Sequence, residues 1–275
     1  MPTTPSSPAT KLPRELVEMI ISHLIYDTPT LLACSLTCYS WYIATVSHLH
    51  HTLTTDGGRW RADKKYLWPT PLRKSYELGL LPLVTRLRIR SSYQYEVKFA
   101  PEQLDRRTLR YFSALTNLQE LGIDNLQVSS LMPTIKQCFG HFSPTLRFLA
   151  LSKPDGSCRQ VLYFIGLFPN LQDLKLHSFL FIDTQKNTAD ATLVPPSIPP
   201  LRGRLTFTEV TRWGFVGDMV ALFGGLRFRY MDLFRVNRMW FLLGACANTL
   251  ETLRFYPTDP YGEEFINRRR GNEFR

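Results

Sequence analysis

No stretch of about 18 uncharged apolar residues occurs in the 275-residue chain, so no segment is long and greasy enough to span a bilayer as a helix. The first residues, MPTTPSSPAT, lack a basic start followed by an apolar core; residues 1–10 read as a loose polar tail, not a secretory signal. Signatures of catalysis are missing too. There is no glycine-rich phosphate loop, no His-Glu-x-x-His and no nucleophile elbow, and Gly224-Gly225 is not followed by Lys-Ser or Lys-Thr. His141 and His177 are isolated, and Cys138 and Cys158 have no acid–base partner nearby in sequence. The chain is expected to be non-catalytic and to hold no cofactor or metal. Cysteine is scarce and odd in number: five residues, scattered through apolar segments. That pattern suits reduced thiols and a cytoplasmic or nuclear setting.

What is present is an ordinary globular composition, 44% hydrophobic and 20% charged. Thirty-three Lys and Arg against 23 Asp and Glu leave a net charge of +10, which draws acidic partners. The arginines stand in small separate groups, at 86/88/90, 106/107/110, 227/229 and 268–270. They form no single extended patch in the sequence, so nucleic acid is not the expected partner.

The chain is organised around Leu12–Trp41. Pro13 fits the first position of a helix, where a missing N–H costs nothing. Beyond it, Leu16, Ile20 and Leu24 make one apolar stripe, Val17, Ile21 and Ile25 the stripe beside it, and Met19 widens the set. Asp27-Thr28-Pro29 breaks this helix and opens another, with Thr28 expected as its N-cap. That second run carries Leu31, Leu32, Ala33, Cys34 and Leu36, and a third begins near Cys38–Trp41 and continues through Val46. A unit of roughly 40 residues seldom hides so much apolar surface unaided.

The series Leu12-Pro13-x-Glu15-Leu16, Ile20-Ile21-x-x-Leu24 and Leu31-x-x-Cys34-Ser35-Leu36-x-Cys38-x-x-Trp41 resembles an F-box. Thr37 stands where that motif commonly has valine. The resemblance implies a three-helix module that binds the adaptor of an SCF-type cullin–RING ubiquitin ligase and, through it, the cullin. It assigns Leu12, Pro13, Leu16, Ile20, Leu24 and Trp41 to the adaptor face or to its support. Two other readings stay open at this point. The stripe could pack against the rest of this chain, and Cys34 and Cys38 with His48, His50 and His51 faintly suggest a zinc site.

Residues 51–80 read as a polar and aromatic connector, with Trp60 and Trp68 expected to cover a junction. After it, one pattern returns: apolar-x-x-apolar-x-apolar. It occurs at Val84-Leu87-Ile89, Leu118-Leu121-Ile123, Leu146-Leu149-Leu151, Leu171-Leu174-Leu176, Phe228-Met231-Leu233 and Leu250-Leu253-Phe255. Leu201-Leu205-Phe207 is a version with one extra residue. The paired apolar positions point one way from a short strand and their neighbours the other. Helical patterns lie between, at 104–115, 131–139, 161–168, 215–223 and 239–247. The expected fold is therefore α/β over residues 81–256: an irregular leucine-rich-repeat-like solenoid behind a small helical module at 11–50, resembling the repeat regions of fungal F-box proteins. An ordinary α/β domain with buried parallel strands is the alternative. No asparagine ladder is expected, because Asn117, Asn125 and Asn170 do not hold one offset. The proline-rich run 183–200 is expected to be an exposed loop. No convincing polar cap follows the last unit, so residues 257–275 read as a polar segment in a chain that could be truncated.

In the stacked arrangement the alternate strand residues form one wall, and Arg86, Arg88, Arg90, Lys175, Tyr230, Arg254 and Tyr256 are the candidate anchors for a protein substrate. The arginine triple suggests an acidic or phosphorylated segment. The functional expectation is a substrate-recognition subunit of an SCF-type ligase; the alternative is a repeat scaffold with no link to ubiquitin.

Overall fold

The computed structural model describes residues 12–56, 59–60, 66–67, 70–90, 106–126, 128, 137–154, 156–178, 200–209, 213–223, 225–234 and 240–256. The tail 1–10, Trp68, the run 183–199 and the segment 257–275 lie outside the described residues.

Three helices open the chain: α1 (Arg14–His23), α2 (Thr28–Ser35) and α3 (Tyr39–His50). Pro13 stands one place before α1 and not inside its first turn, with an extended ψ of 144°. Its carbonyl accepts the amides of Leu16 and Val17 at 3.1 and 3.2 Å. Asp27, not Thr28, caps α2. Its carboxylate accepts the Thr30 hydroxyl at 2.6 Å and the Thr30 amide at 3.1 Å, more than one threonine oxygen would satisfy so well. Those bonds, the hydroxyl first, hold the Asp27 carboxyl below its ordinary value.

An eight-stranded sheet follows, every neighbouring pair parallel and the strands in chain order. Its members are β1 (Thr52–Asp56), β4 (Arg86–Arg90), β5 (Glu120–Asp124), β6 (Phe148–Ser152), β7 (Asp173–His177), β8 (Leu201–Thr208), β9 (Leu226–Phe234) and β10 (Thr252–Tyr256). A separate antiparallel pair, β2 (Arg59–Trp60) and β3 (Tyr66–Leu67), lies between the first two. All seven repeated motifs fall on strands. Their apolar residues align in two rows, Leu87-Leu121-Leu149-Leu174-Leu205-Met231-Leu253 and Ile89-Ile123-Leu151-Leu176-Phe207-Leu233-Phe255.

The connector expected over 51–80 is corrected by β1, which pairs with β4 and starts the sheet. Leu53 and Thr55 hold the places of Leu87 and Ile89, so the pattern is there with a threonine in an aliphatic position. Thr55 is buried, and its β-branch suits a strand although Oγ1 makes no hydrogen bond.

Both ends of the strands repeat their bonding. One residue directly after each of β5 to β8 takes a left-handed backbone: Asn125, Lys153, Ser178 and Glu209, with φ of 54°, 47°, 51° and 57°. Each donates its N–H to the last carbonyl of the next strand, at 2.8 to 3.0 Å. At the other end Thr145 Oγ1 reaches Leu118 O at 2.7 Å and Thr249 Oγ1 reaches Phe228 O at 3.2 Å. Asn117 Nδ2 donates to Pro82 O at 2.8 Å and Asn170 Nδ2 to Pro144 O at 2.9 Å. The expectation of no common asparagine offset is therefore half corrected. Asn117 and Asn170 both sit one residue before the leading leucine and make the same bond; Asn125 belongs to the left-handed set.

Helices α4 (Thr70–Glu77), α5 (Arg106–Ser113), α6 (Cys158–Gly166), α7 (Trp213–Leu222) and α8 (Trp240–Cys246) alternate with these strands. Their buried residues join the two strand rows in one core, in which Phe112, Phe139, Phe164 and Phe168 meet edge to face at 5.2 to 5.7 Å between centroids. The row ends open: Leu253 and Phe255 on β10 are 41% and 43% exposed, whereas their partners Met231 and Leu233 are buried.

Candidate adaptor-docking face and sheet face

The three N-terminal helices have a core of their own, separate from the sheet's. Val17, Ile21 and Leu31 are fully buried, with Leu24, Cys34, Trp41, Ala44 and Leu49 packed around them.

The rest of their apolar surface is open. α1 is split between its two stripes: Val17 and Ile21 face in, while Leu16 and Ile20 are 41% and 38% exposed. Of the six residues assigned by resemblance, Leu12, Pro13, Leu16 and Ile20 lie on the surface. Leu24 and Trp41 are half-buried against the small core, where they support the face and do not form it. The exposed set extends further than the sequence reading took it. Met19, Leu32, Leu36, Tyr39, Tyr42 and Ile43 are also exposed, Leu36 at 86% and Tyr39 at 78%. The signal was available in α2, whose consecutive Leu31-Leu32-Ala33-Cys34 put apolar residues on more than one face yet bury only Leu31.

The family described as F-box-like matches residues 9–56. These residues carry an F-box-like domain. No curated protein matches the chain. The F-box-like match runs past the helices to the end of β1, six residues beyond the expected boundary at 50. Domains of this kind bind SCF adaptors, and the proteins that carry them are in general non-catalytic substrate adaptors.

His48, His50 and His51, the histidines of the zinc reading, are half-buried, and His51 Nδ1 lies 2.5 Å from His48 O. Among the described residues no three His, Cys, Asp or Glu side chains gather as a metal group would. None of the five cysteines is in a disulfide; burial pushes Cys138 up to about 12 and raises Cys246 as well. Among the described residues no helix is long and apolar enough to cross a membrane.

The other candidate surface is the outward side of the sheet, whose residues align across strands. One row runs Arg86-Glu120-Phe148-Asp173-Arg204-Tyr230-Thr252, the next Arg88-Gly122-Ala150-Lys175-Thr206-Asp232-Arg254. A third ends Ser152-His177-Thr208-Phe234-Tyr256. The arginine triple is not a free basic edge. Arg86 is held by Glu120, and the Arg88 side chain lies across Gly122, with Cγ 3.6 Å from where a Cβ would stand. Arg90 and Arg88 both lower the carboxyl of Asp124, which burial nonetheless raises above its ordinary value. Lys175 stands over the Phe148 ring at 5.3 Å and Arg204 over Tyr230 at 5.6 Å. Tyr256 stacks on Phe234 at 4.2 Å, and Arg254 lies 4.0 Å from Asp232. The seven candidate anchors thus share a face but spread across it. Arg204, Phe148 and Phe234, which the sequence reading left out of the anchor set, stand among them.

Proposed function

We propose that the chain is a substrate-recognition subunit of an SCF-type cullin–RING ubiquitin ligase. In this reading the F-box-like domain docks the adaptor, the cullin follows through the adaptor, and the remainder presents a protein substrate. The observation that carries it is the divided helix α1, with Val17 and Ile21 inside and Leu16 and Ile20 outside. An apolar stripe left open beside a filled one is what a partner helix requires. Chemistry would belong to the conjugating enzyme, and this chain would supply proximity alone.

The region from β4 onward is read as leucine-rich-repeat-like. In support stand the chain-order parallel strands, the four left-handed residues after them and the repeated Asn and Thr bonds between units. The outward side of the sheet is the substrate face, with Arg88, Arg90, Lys175, Tyr230, Arg254 and Tyr256 as anchors and Arg86 held in reserve by Glu120. A cytoplasmic or nuclear setting fits five cysteines outside any disulfide.

The test is capture of the SCF adaptor by the full chain. Wild-type protein should retain it, and Leu16→Asp/Ile20→Asp should lose it by at least about tenfold, since charge on a buried apolar contact is costly. Equal capture by both proteins, or none by either, leaves the scaffold reading in its place.

A further inference from the structure

Two stretches of the sequence are basic without relief: no Asp or Glu occurs between Asp190 and Glu209, or between Asp218 and Asp232, yet they hold Arg202, Arg204, Arg227 and Arg229. The sheet brings them together. Arg202 and Arg227 are register partners on β8 and β9, next to Leu201 and Leu226, which are partners on the buried side. Both arginines are exposed. Neighbouring strands stand about 4.8 Å apart, so two guanidinium stems rise side by side with like charge. Arg204, two residues along β8, turns onto Tyr230 of β9; Oδ1 of its other register partner, Asp173, makes no hydrogen bond. The cluster is gathered by an irregularity at Gly203–Arg204, where Arg229 is the extra residue on β9 and takes Glu251 at 3.6 Å.

We infer that Arg202, Arg204 and Arg227 form an anion subsite on the substrate face, and that its ligand is a phosphoryl group carried on a side chain of the protein client. This rests on the substrate reading of the sheet's outward side. Guanidinium forks match phosphate oxygens two at a time, and three of them balance a group carrying about −1.5 to −2 charge. The patch is small. Arg202 to Arg204 spans two residues, about 7 Å, and Arg227 is one strand away, room for one phosphate and not a chain of them. Asp173 on β7, Asp232 farther along β9 and Glu251 just before β10 would repel a polyanionic backbone. A phosphorylated protein segment is therefore favoured over nucleic acid. The subsite also differs from the Arg86–Arg88–Arg90 edge, which Glu120 and Asp124 already neutralise in part.

The experiment uses the full chain and two probes. A labelled degenerate peptide library with one fixed phosphoserine is compared with the same library carrying serine or glutamate there. Inorganic phosphate is compared with chloride at matched ionic strength by thermal melting. The phosphoserine library should bind at least about tenfold tighter than either other library, and Arg202→Gln/Arg227→Gln should abolish that difference while Arg73→Gln/Arg159→Gln, at exposed arginines on helices α4 and α6, keeps it. Phosphate should raise the wild-type melting temperature by about 3 °C and leave Arg202→Gln/Arg227→Gln unmoved. Without phosphate the double variant should melt above wild type, since a repulsion has gone; a merely structural pair would melt below. Equal binding of the three libraries, an unchanged phosphate response in the double variant, or tighter binding of a single-stranded oligonucleotide overturns the proposal. Adaptor capture is read on the same preparations and depends on α1, so failure of the subsite and failure of the ligase reading are told apart.

Discussion

Arg86 grips Glu120 with two prongs across neighbouring strands, Nη2 to Oε1 at 2.7 Å and Nε to Oε2 at 2.5 Å. They are direct register partners, 34 residues apart in sequence. The hydrogen bond to Glu120 raises the Arg86 pKa further. Both side chains are about one-third exposed, 37% and 34%, so water screens the pair. A double-mutant cycle with Arg86→Gln and Glu120→Gln should give a coupling of about 1 kcal/mol, read from denaturant unfolding. If substrate recruitment needs a free Arg86, Glu120→Gln should strengthen it; binding to any identified client is the check.

The split of α1 has a stability signature independent of any partner. Ile21→Ala empties a fully buried place and should cost about 2–4 kcal/mol. Ile20→Ala, one residue away and exposed, should stay within about 0.5 kcal/mol. Urea melts of the two proteins decide it, and equal losses would mean that Ile20 is covered in solution.

Gly203 is required twice over. Its φ of +86° lies in the left-handed region, and an added Cβ would fall 1.9 Å from the Gln172 carbonyl oxygen, which accepts the Arg204 amide at 2.8 Å. Gly203→Ala should cost more than about 3 kcal/mol or prevent folding. Gly225 has φ +117° and open space around it, so Gly225→Ala should lose only the backbone strain, about 1–3 kcal/mol. The difference between the two melts measures the clash.

Asp173 carries a pH signature. Burial raises its carboxyl above the ordinary 3.8, and Asp232 and Glu120 add to that, while Lys175 and Arg204 oppose it. The folded state then binds the proton more tightly than the unfolded chain does. This group's contribution falls as pH rises from about 3.8 through the folded value, so the ionised form is a net cost at neutral pH. Asp173→Asn should be more stable than wild type at pH 7, with the gap closing as pH drops toward 4. Denaturant midpoints taken across that range test the sign.

The left-handed residues after the strands offer a gain. Lys153 holds φ 47° with an exposed side chain. Glycine adopts that backbone without the Cβ conflict, although it loses more freedom on folding. Lys153→Gly should be neutral to stabilising by up to about 1 kcal/mol, whereas Lys153→Val should lose stability. Thermal melts of the two variants are sufficient.

Which residues share a face was legible in the order of residues alone. Period-two alternation at Leu87/Ile89 through Leu253/Phe255 named all seven later strands, and the paired stripes of α1 announced more apolar surface than three short helices could cover. Local spacing carries that information because side-chain direction repeats every two or 3.6 residues. Capping details and β1 were missed where a local rule had two solutions: Asp27 and Thr28 both suit a cap, and Thr55 looks like a loop residue until Ile89 lies beside it. Three facts emerge from the fold alone: which of the α1 stripes is filled, that Arg86 is held by Glu120, and that Arg202 and Arg227 stand as neighbours. The first depends on how α1 packs against α2 and α3; the other two depend on register between strand residues 34 and 25 positions apart, and register is set by packing across the whole sheet, not by any one strand's own pattern.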